Sequence, residues 1–483
     1  VHRGRFFYYK EKGARKMAVT DSIQFQKKQL NGDTLTPVVI YKRLAGEKKF
    51  LLESSVHHTG KGRYSIIGAN PYKELIGKGQ ETMLKFAGEE EKLADKPLEV
   101  LKKHISGHEL PLDFPFYGGA VGYMAYDSIR QYEAIGEVPE DPIGMPEVHF
   151  MFYEDIIVYD HKHQQVTLLA IDGAGDRSTE MLQTRLEEME QEITSFKDIP
   201  DIVLQPVRFQ PETDQKAFMQ MVEDAKAYIK AGDVFQIVLS QRLTADFSGD
   251  AFSFYRKLRA SNPSPYMFFL DFEDYTVLGA SPESLIKASG NLVTANPIAG
   301  SRPRGKTLAQ DEQLTTELLA DEKEIAEHRM LVDLSRNDLG RVCKVGTVEL
   351  TKYMTVEKYQ HIMHIVSEVQ GELADNMTGL DALIAALPAG TVSGAPKIRA
   401  MELINQFEKK KRGLYAGAVG YINMNGDLDL ALAIRTMVIK DNKAYVQAGA
   451  GLVYDSDPET EYHETLHKAK SLTEVGLHDS ADR

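Results

Sequence analysis

The chain has 483 residues, 42% of them hydrophobic, and a formal net charge of −14. That length fills one very large domain or two ordinary ones, and the acidic balance argues against a sequence-independent grip on nucleic acid, which needs a basic face. A single cysteine, Cys343, leaves no internal disulfide, and no stretch reaches the roughly 18 apolar residues of a membrane helix, so the expectation is a cytoplasmic protein that binds small molecules and other proteins.

In chain order, residues 1–20 come first, basic through Arg3, Arg5, Lys10, Lys12, Arg15 and Lys16. They lack the apolar core of a secretory signal and read as a leader-like or disordered tail, with Met17 as an alternative start. Period-two apolar patterns predict strands over Lys49–Leu52, Val148–Val158 and Val166–Ile171, followed by a charged helix over Arg177–Phe196. The Pro-containing stretch Ile199–Pro211 marks a seam, dividing the chain into an N-terminal half, 21–200, and a C-terminal half, 201–483. Beyond it lie a helix over Asp214–Ala231, a strand at Thr276–Leu278, a helix over Ala309–Val332, a strand at Ala444–Ala448 and a helix over Thr460–Leu472. This mixed order predicts an α+β fold with antiparallel sheets.

Two echoes refine the division. The segment Tyr64–Pro71 (YSIIGANP) returns as Tyr275–Pro282 (YTVLGASP), and Tyr117–Tyr123 (YGGAVGY) returns as Tyr415–Tyr421 (YAGAVGY), in the same order. A duplicated strand-rich unit explains both, with the two halves expected to pack as two related sheets and an insertion from about Leu285 to Leu414 in the second copy.

The residues with chemical potential fall in that second copy. Glu324 and Glu327, and again Glu461 and Glu464, are spaced to share one helix face, and four converging carboxylates would call for a hard cation such as Mg²⁺. Taken alone, each pair is more often a solvated helix face. Arg435 and Lys468 offer cations for a substrate carboxylate or for surface ion pairs. Gly300-Ser301 and Gly449–Gly451 offer backbone N–H groups or ordinary turns. His364 and Glu283 are candidates for proton transfer, and Pro388–Arg399, with Lys397 and Arg399, resembles an anion-binding turn without nucleotide-loop spacing. The residues by themselves point to a Mg²⁺-dependent enzyme acting on a small carboxylated substrate.

Taken together, Gly232–Gln241, Asn296–Gly305, Asp321–His328, Leu331–Asp338, Pro388–Arg399 and Gln447–Gly451 resemble the chorismate-utilising enzymes, and among them the anthranilate synthase component I family. The resemblance runs from about Asp33 to Leu472. It implies a layered α/β/β/α body that converts chorismate and ammonia to anthranilate and pyruvate, opening tryptophan biosynthesis. It implies Mg²⁺ on Glu327 and Glu464, supported by Glu324 and Glu461. The implied chorismate contacts are Gly300, Ser301, Thr391, Tyr415, Arg435, Gly449, Ala450, Gly451 and Lys468, with Glu283 and His364 as proton-transfer residues. Ser301 departs from the family's commoner Thr and keeps the hydroxyl.

The family's water-adding members carry lysine where Gln236 stands, and its aminodeoxychorismate synthases carry lysine where Ala299 stands, so direct amination is favoured. Aminodeoxychorismate synthase component I and a non-catalytic tryptophan sensor remain the alternatives. Cys343 sits in GRVCK without the small-residue elbow of a glutaminase nucleophile. The family accordingly implies a separate glutamine amidotransferase subunit, commonly in a heterotetramer. It further implies feedback inhibition by tryptophan in a pocket built from Leu51–Ser54 and Asn262–Met267, with Ser54, Pro265, Tyr266 and Met267 as lining and Glu53 with Ser54 receiving the ammonium group.

Overall fold

A computed structural model describes residues 23–54, 62–195, 206–358 and 362–475. The tail expected over 1–20, and residues 199–205 of the seam, lie outside the described residues. Two 12-stranded sheets form the body. One apolar cluster fills the space between them, including Phe50, Tyr123, Tyr153, Phe268 and Val277. A second lies between the first sheet and the helices Pro37–Arg43, Thr179–Thr194, Ala251–Ser261 and Pro458–Thr473. The third joins the second sheet to Pro97–His104, Glu322–Gly340, Gly379–Ala386 and Lys397–Glu408. This is the expected α/β/β/α layering. It explains why strands such as Val148–Tyr153 are buried on both faces and read as continuous apolar runs.

The duplication is visible in strand order. The first sheet runs Phe25–Asn31, Gln165–Ile171, Asp155–Asp160, Tyr64–Gly68, Phe50–Glu53, then Tyr266–Asp271, Tyr275–Ser281, Thr436–Lys440, Lys443–Leu452, Gln236–Asp246 and the short Gln210–Pro211. Each half mirrors the other about the pair Phe50–Glu53 and Tyr266–Asp271, in which Leu51 lies opposite Phe269. The second sheet has its mirror between Gly119–Met124 and Ala418–Asn423, where Gly122 lies opposite Gly420, the same position of the two echoes. Local packing is duplicated too. Phe50 lies across Gly68 and Phe268 across Gly279, and a Cβ on either glycine would stand 2.4 Å from the facing ring.

Four expectations are corrected. The copies do not form one sheet each; every sheet takes five strands from the first copy and seven from the second, so the halves are interleaved. Val148–Val158 is two strands, because the chain leaves the second sheet at Tyr153 and enters the first at Asp155. The insertion is likewise two excursions, since Ser284–Ser289, Leu292–Ala295, Ile362–Glu372 and the helix Gly379–Ala386 have counterparts in the first copy. What is added lies within 298–358 and 387–414. The helix expected over Ala309–Val332 is also divided, into Leu308–Ala320 and Glu322–Gly340, because Asp321 turns out of helical geometry and accepts hydrogen bonds from the Lys323 and Glu324 amides as an N-cap.

Candidate functional site

The site lies where the two excursions close over one end of the strand pair Gln236–Asp246 and Lys443–Leu452. Here Ser240 faces Gly449 and Val238 faces Gly451. Both glycines are needed for close approach. A Cβ on Gly449 would stand 2.7 Å from the Tyr415 hydroxyl, and one on Gly451 would stand 2.7 Å from Gln236 Nε2. Ala450 between them points the other way, its methyl fully buried with Leu239 and Leu403, so it offers a ligand only its backbone.

From Gly449 the site can be followed residue to residue. Lys468, on the last described helix, donates through Nζ to the Gly449 carbonyl at 3.1 Å and pairs with Glu464 at 2.6 Å. Its charge also acts on Glu283, whose carboxylate accepts the Thr391 hydroxyl at 2.9 Å. Burial outweighs both favourable contacts and pushes the Glu283 carboxyl up to about 8, so it keeps its proton at neutral pH.

Opposite, Arg435 occupies the crossover between Leu428–Leu432 in one sheet and Thr436–Lys440 in the other, in left-handed conformation at φ 51°. Burial pulls its guanidinium below the ordinary value, opposed by Tyr415, and among the described residues no carboxylate pairs with it. The Arg435 charge reaches His364, which burial holds below its ordinary value while a hydrogen bond to the Gly300 backbone opposes that shift. Gly300, at φ 77°, is the bulge residue between Ala299 and Ser301 on the strand facing His364. A Cβ there would meet Ile365 and Glu324 Oε2 at 3.0 and 3.2 Å. Ser301, exposed, lies directly across from His364. An acid that holds its proton is thus linked through Lys468 and Gly449 to Tyr415 and the Arg435 guanidinium, and Arg435 in turn to His364, a set that suits proton transfer on an anionic substrate.

The four glutamates are arranged differently from expectation. Glu324 is paired with Arg302 at 3.0 Å, Glu464 with Lys468, and Glu327 accepts from Gln236 Nε2 at 3.1 Å. Among the described residues no group of three or more His, Cys, Asp or Glu is gathered to hold a metal. The two helices do face each other, since Lys323 acts on Glu461. Glu461 is buried, its Oε2 has no hydrogen-bond partner among the described residues, and burial followed by the Glu464 charge raises its pKa. An orphaned carboxylate oxygen beside a second carboxylate offers the oxygen ligands a hard divalent cation takes, although Lys323 and Lys468 now supply the positive charge there.

The basic residues of Pro388–Arg399 are not available to an anion. Lys397 is buried and donates to Asp338 at 2.7 Å, tying this segment to the helix Glu322–Gly340, and Arg399 pairs with Asp233 and Glu402. What holds the site together is Arg412, which the sequence reading missed. It is fully buried, donating to the Val392 carbonyl at 2.6 Å, the Val238 carbonyl at 2.8 Å and both Glu408 oxygens at 2.6 and 2.8 Å. Its guanidinium also lies 5.5 Å from the Tyr415 ring centroid. One side chain therefore joins the turn of Thr391, the strand of Gln236 and the ring of Tyr415. His328 plays a similar part for the glutamate helix through Ser367 Oγ at 2.7 Å.

Ser54, Pro265, Tyr266 and Met267 line a separate cavity of about 650 Å³ between the two sheets, together with Tyr64 and Asp429. Glu53, expected to receive an ammonium group there, is already engaged: it accepts from Tyr255 at 2.9 Å and Ser65 at 3.3 Å and pairs with Arg259 at 2.8 Å.

Comparison with known proteins places this geometry in a family. Residues 48–474 match the model of the chorismate binding enzymes. Anthranilate synthase component 1 of Lactococcus lactis is 46% identical over 455 residues, covering 93% of this chain and 99% of that protein. The Thermus thermophilus protein of the same name is 42% identical over 463 residues, covering 94% and 97%. The crystal structure of anthranilate synthase component I from Streptococcus pneumoniae superposes with a TM-score of 0.81 at 45% identity, covering 92% of this chain and 98% of that one. The Escherichia coli isochorismate synthase MenF, at 18% identity and a TM-score of 0.71, shares the fold. The chain belongs to the chorismate-binding enzymes, within the anthranilate synthase component 1 family.

Proposed function

We propose that this enzyme converts chorismate and ammonia to anthranilate and pyruvate. The observation that carries the reading is a carboxyl that keeps its proton, Glu283, in a site that also holds the Arg435 guanidinium, which has no carboxylate partner among the described residues. A dianionic substrate that must lose a hydroxyl needs both groups. Ammonia adds at C2 of chorismate as the C4–O bond breaks and the hydroxyl leaves as water with the Glu283 proton, and the new C2 ammonium gives a proton back to the Glu283 carboxylate. His364, neutral, removes the C2 hydrogen as the enolpyruvyl group departs, is protonated to pyruvate, and leaves an aromatic ring. Arg435 and Tyr415 hold the enolpyruvyl carboxylate, and Lys468 with the backbone at Gly449 to Gly451 and at Gly300 and Ser301 orients the ring. Glu327 and Glu464, with Glu324 and Glu461 in support, would hold a Mg²⁺ ion that when bound neutralises the ring carboxylate as a Lewis acid.

Ammonia comes from a glutamine amidotransferase subunit, because Cys343 is a buried thiol whose pKa burial raises, the opposite of a nucleophile's environment. The cavity around Ser54 and Met267 takes tryptophan as a feedback inhibitor. Purified chain supplied with chorismate, ammonium and Mg²⁺ is expected to release pyruvate and fluorescent anthranilate in equal amounts, and to do nothing with glutamine. A fluorescence-silent product, or amination without pyruvate, contradicts the reading.

A further inference from the structure

The duplication relates the open cavity to a second place in the molecule. Strand registers in the two copies pair Tyr64 with Tyr275, Tyr421 with Tyr123, Asp429 with His149, and Ser54 with Phe272. The first member of each pair lines the cavity of about 650 Å³. The second members form a closed cluster. The Phe272 ring stacks on Tyr275 at 4.9 Å and 18°, meets Tyr123 edge-on at 5.4 Å and 85°, and lies 4.4 Å from His149. Around it Tyr275 bonds His149 Nδ1 at 2.7 Å and Tyr123 at 2.8 Å, so the cluster is internally satisfied. Two substitutions of large by small, Ser for Phe272 and Asp for His149, separate an open chamber from a filled one.

We propose that the fold contains two equivalent aromatic chambers between its sheets, that Phe272 is the permanent occupant of one, and that the effector's ring enters the other in the place Phe272 marks, stacked on Tyr64 with Tyr421 at its edge. The effector half of this proposal rests on the regulatory reading above; the existence of the filled twin does not. Phe272 reaches its chamber from the position directly after a paired strand, and Ser54 holds that position in the first copy. A phenyl ring at residue 54 therefore has a precedent within this same chain, and Ser54→Phe should close the open chamber without unfolding the protein. Phe272→Ser should do the reverse and open a second chamber. Tyr64 supplies the stacking face, an interaction whose loss weakens binding severalfold to roughly tenfold.

The chain contains no tryptophan, so the fluorescence of added L-tryptophan reports its own binding directly. The wild type should bind one L-tryptophan per chain, Tyr64→Ala should bind it roughly tenfold more weakly, and Ser54→Phe should bind none while keeping the wild-type near-ultraviolet circular dichroism. Phe272→Ser should take up one more equivalent of free indole than the wild type. Wild-type affinity in Ser54→Phe or in Tyr64→Ala overturns the ring placement. A folded Phe272→Ser that takes no extra indole overturns the twin chamber. A wild type that ignores tryptophan, beside a Phe272→Ser that takes the extra indole, defeats the regulatory reading and leaves the twin standing.

Discussion

The two copies of the duplicated unit differ in kind at the positions of the candidate site. Matching strand registers place Ile171 of the first copy where the second has Gly449, Asp155 where it has Arg435, and Tyr72 where it has Glu283. Ile171 is fully buried and fills the space that Gly449 leaves for the Tyr415 hydroxyl. Asp155 is neutralised by Arg177 and Arg185 at 2.8 and 3.0 Å, while Arg435 has no such partner among the described residues. Tyr72 is a packed aromatic beside Phe86 and Phe152, while Glu283 is a buried carboxyl. The first copy satisfies these positions internally. The second leaves room, charge and a proton uncommitted, and its two excursions roof the space.

The largest effect that tests this contrast is at Arg412. Arg412→Met removes the counter-charge of Glu408 and leaves its carboxylate held by the Ser240 amide and hydroxyl at 2.8 and 2.9 Å, at a cost of about 3 kcal/mol. Adding Glu408→Gln should restore much of the stability in urea unfolding, yet kcat/KM should stay low because the turn of Thr391 and the Gln236 strand have lost their common tie. Recovery of both together would show that Arg412 has no role in positioning. A smaller effect is expected at the glycines. Gly449→Ala meets both the Tyr415 hydroxyl and the Leu239 carbonyl, at 2.7 and 2.9 Å, and should lower kcat/KM for chorismate by roughly a hundredfold. Gly451→Ala meets only the flexible Gln236 amide within 3 Å and should lose less. Equal losses would break the argument from close approach. The smallest effect is expected in the first copy, where Ile171→Val should cost about 1 kcal/mol of stability and leave KM unchanged.

Burial of Glu283 also links folding to pH. Its folded pKa, about 8, lies above the ordinary value of 4.5, so between those values the unfolded chain gives up a proton that the folded chain keeps. This contribution to stability is complete below the ordinary value, declines as pH rises, and is gone above about 8. Glu283→Gln should flatten that part of the stability profile measured by denaturant titration between pH 5 and 9.

Much of the fold was legible because period-two patterns and the repeated motifs survive in the sequence, whereas Gly449 and Gly451 fit an ordinary turn equally well until strand pairing sets them against Tyr415 and Gln236. What failed has physical reasons. Apolar periodicity is blind to which sheet a strand joins, so the crossover at Glu154 was invisible within Val148–Val158. A charged residue in a loop gives no sign of its partner. Lys397, Arg399 and Glu53 were read as ligand groups although Asp338, Asp233 and Arg259 already hold them. Arg412 ends the run Lys409–Arg412, which looks like a solvated basic stretch, yet Lys411 and Arg412 are both buried. Glutamate spacing placed each pair on one helix face, but the Arg302 and Gln236 side chains that engage Glu324 and Glu327 come from elsewhere in the fold, and Glu464 is taken by Lys468 one turn along its own helix.

The central claim is that Glu283 delivers a proton at neutral pH, and the pH dependence of kcat with saturating chorismate and ammonium tests it most directly. Wild-type kcat should fall as pH rises through about 8, the range in which Glu283 loses its proton. Glu283→Gln should be slower by roughly a hundredfold or more and should lack that limb. A Glu283→Gln enzyme with near wild-type kcat, or one that keeps the same alkaline limb, would contradict the account.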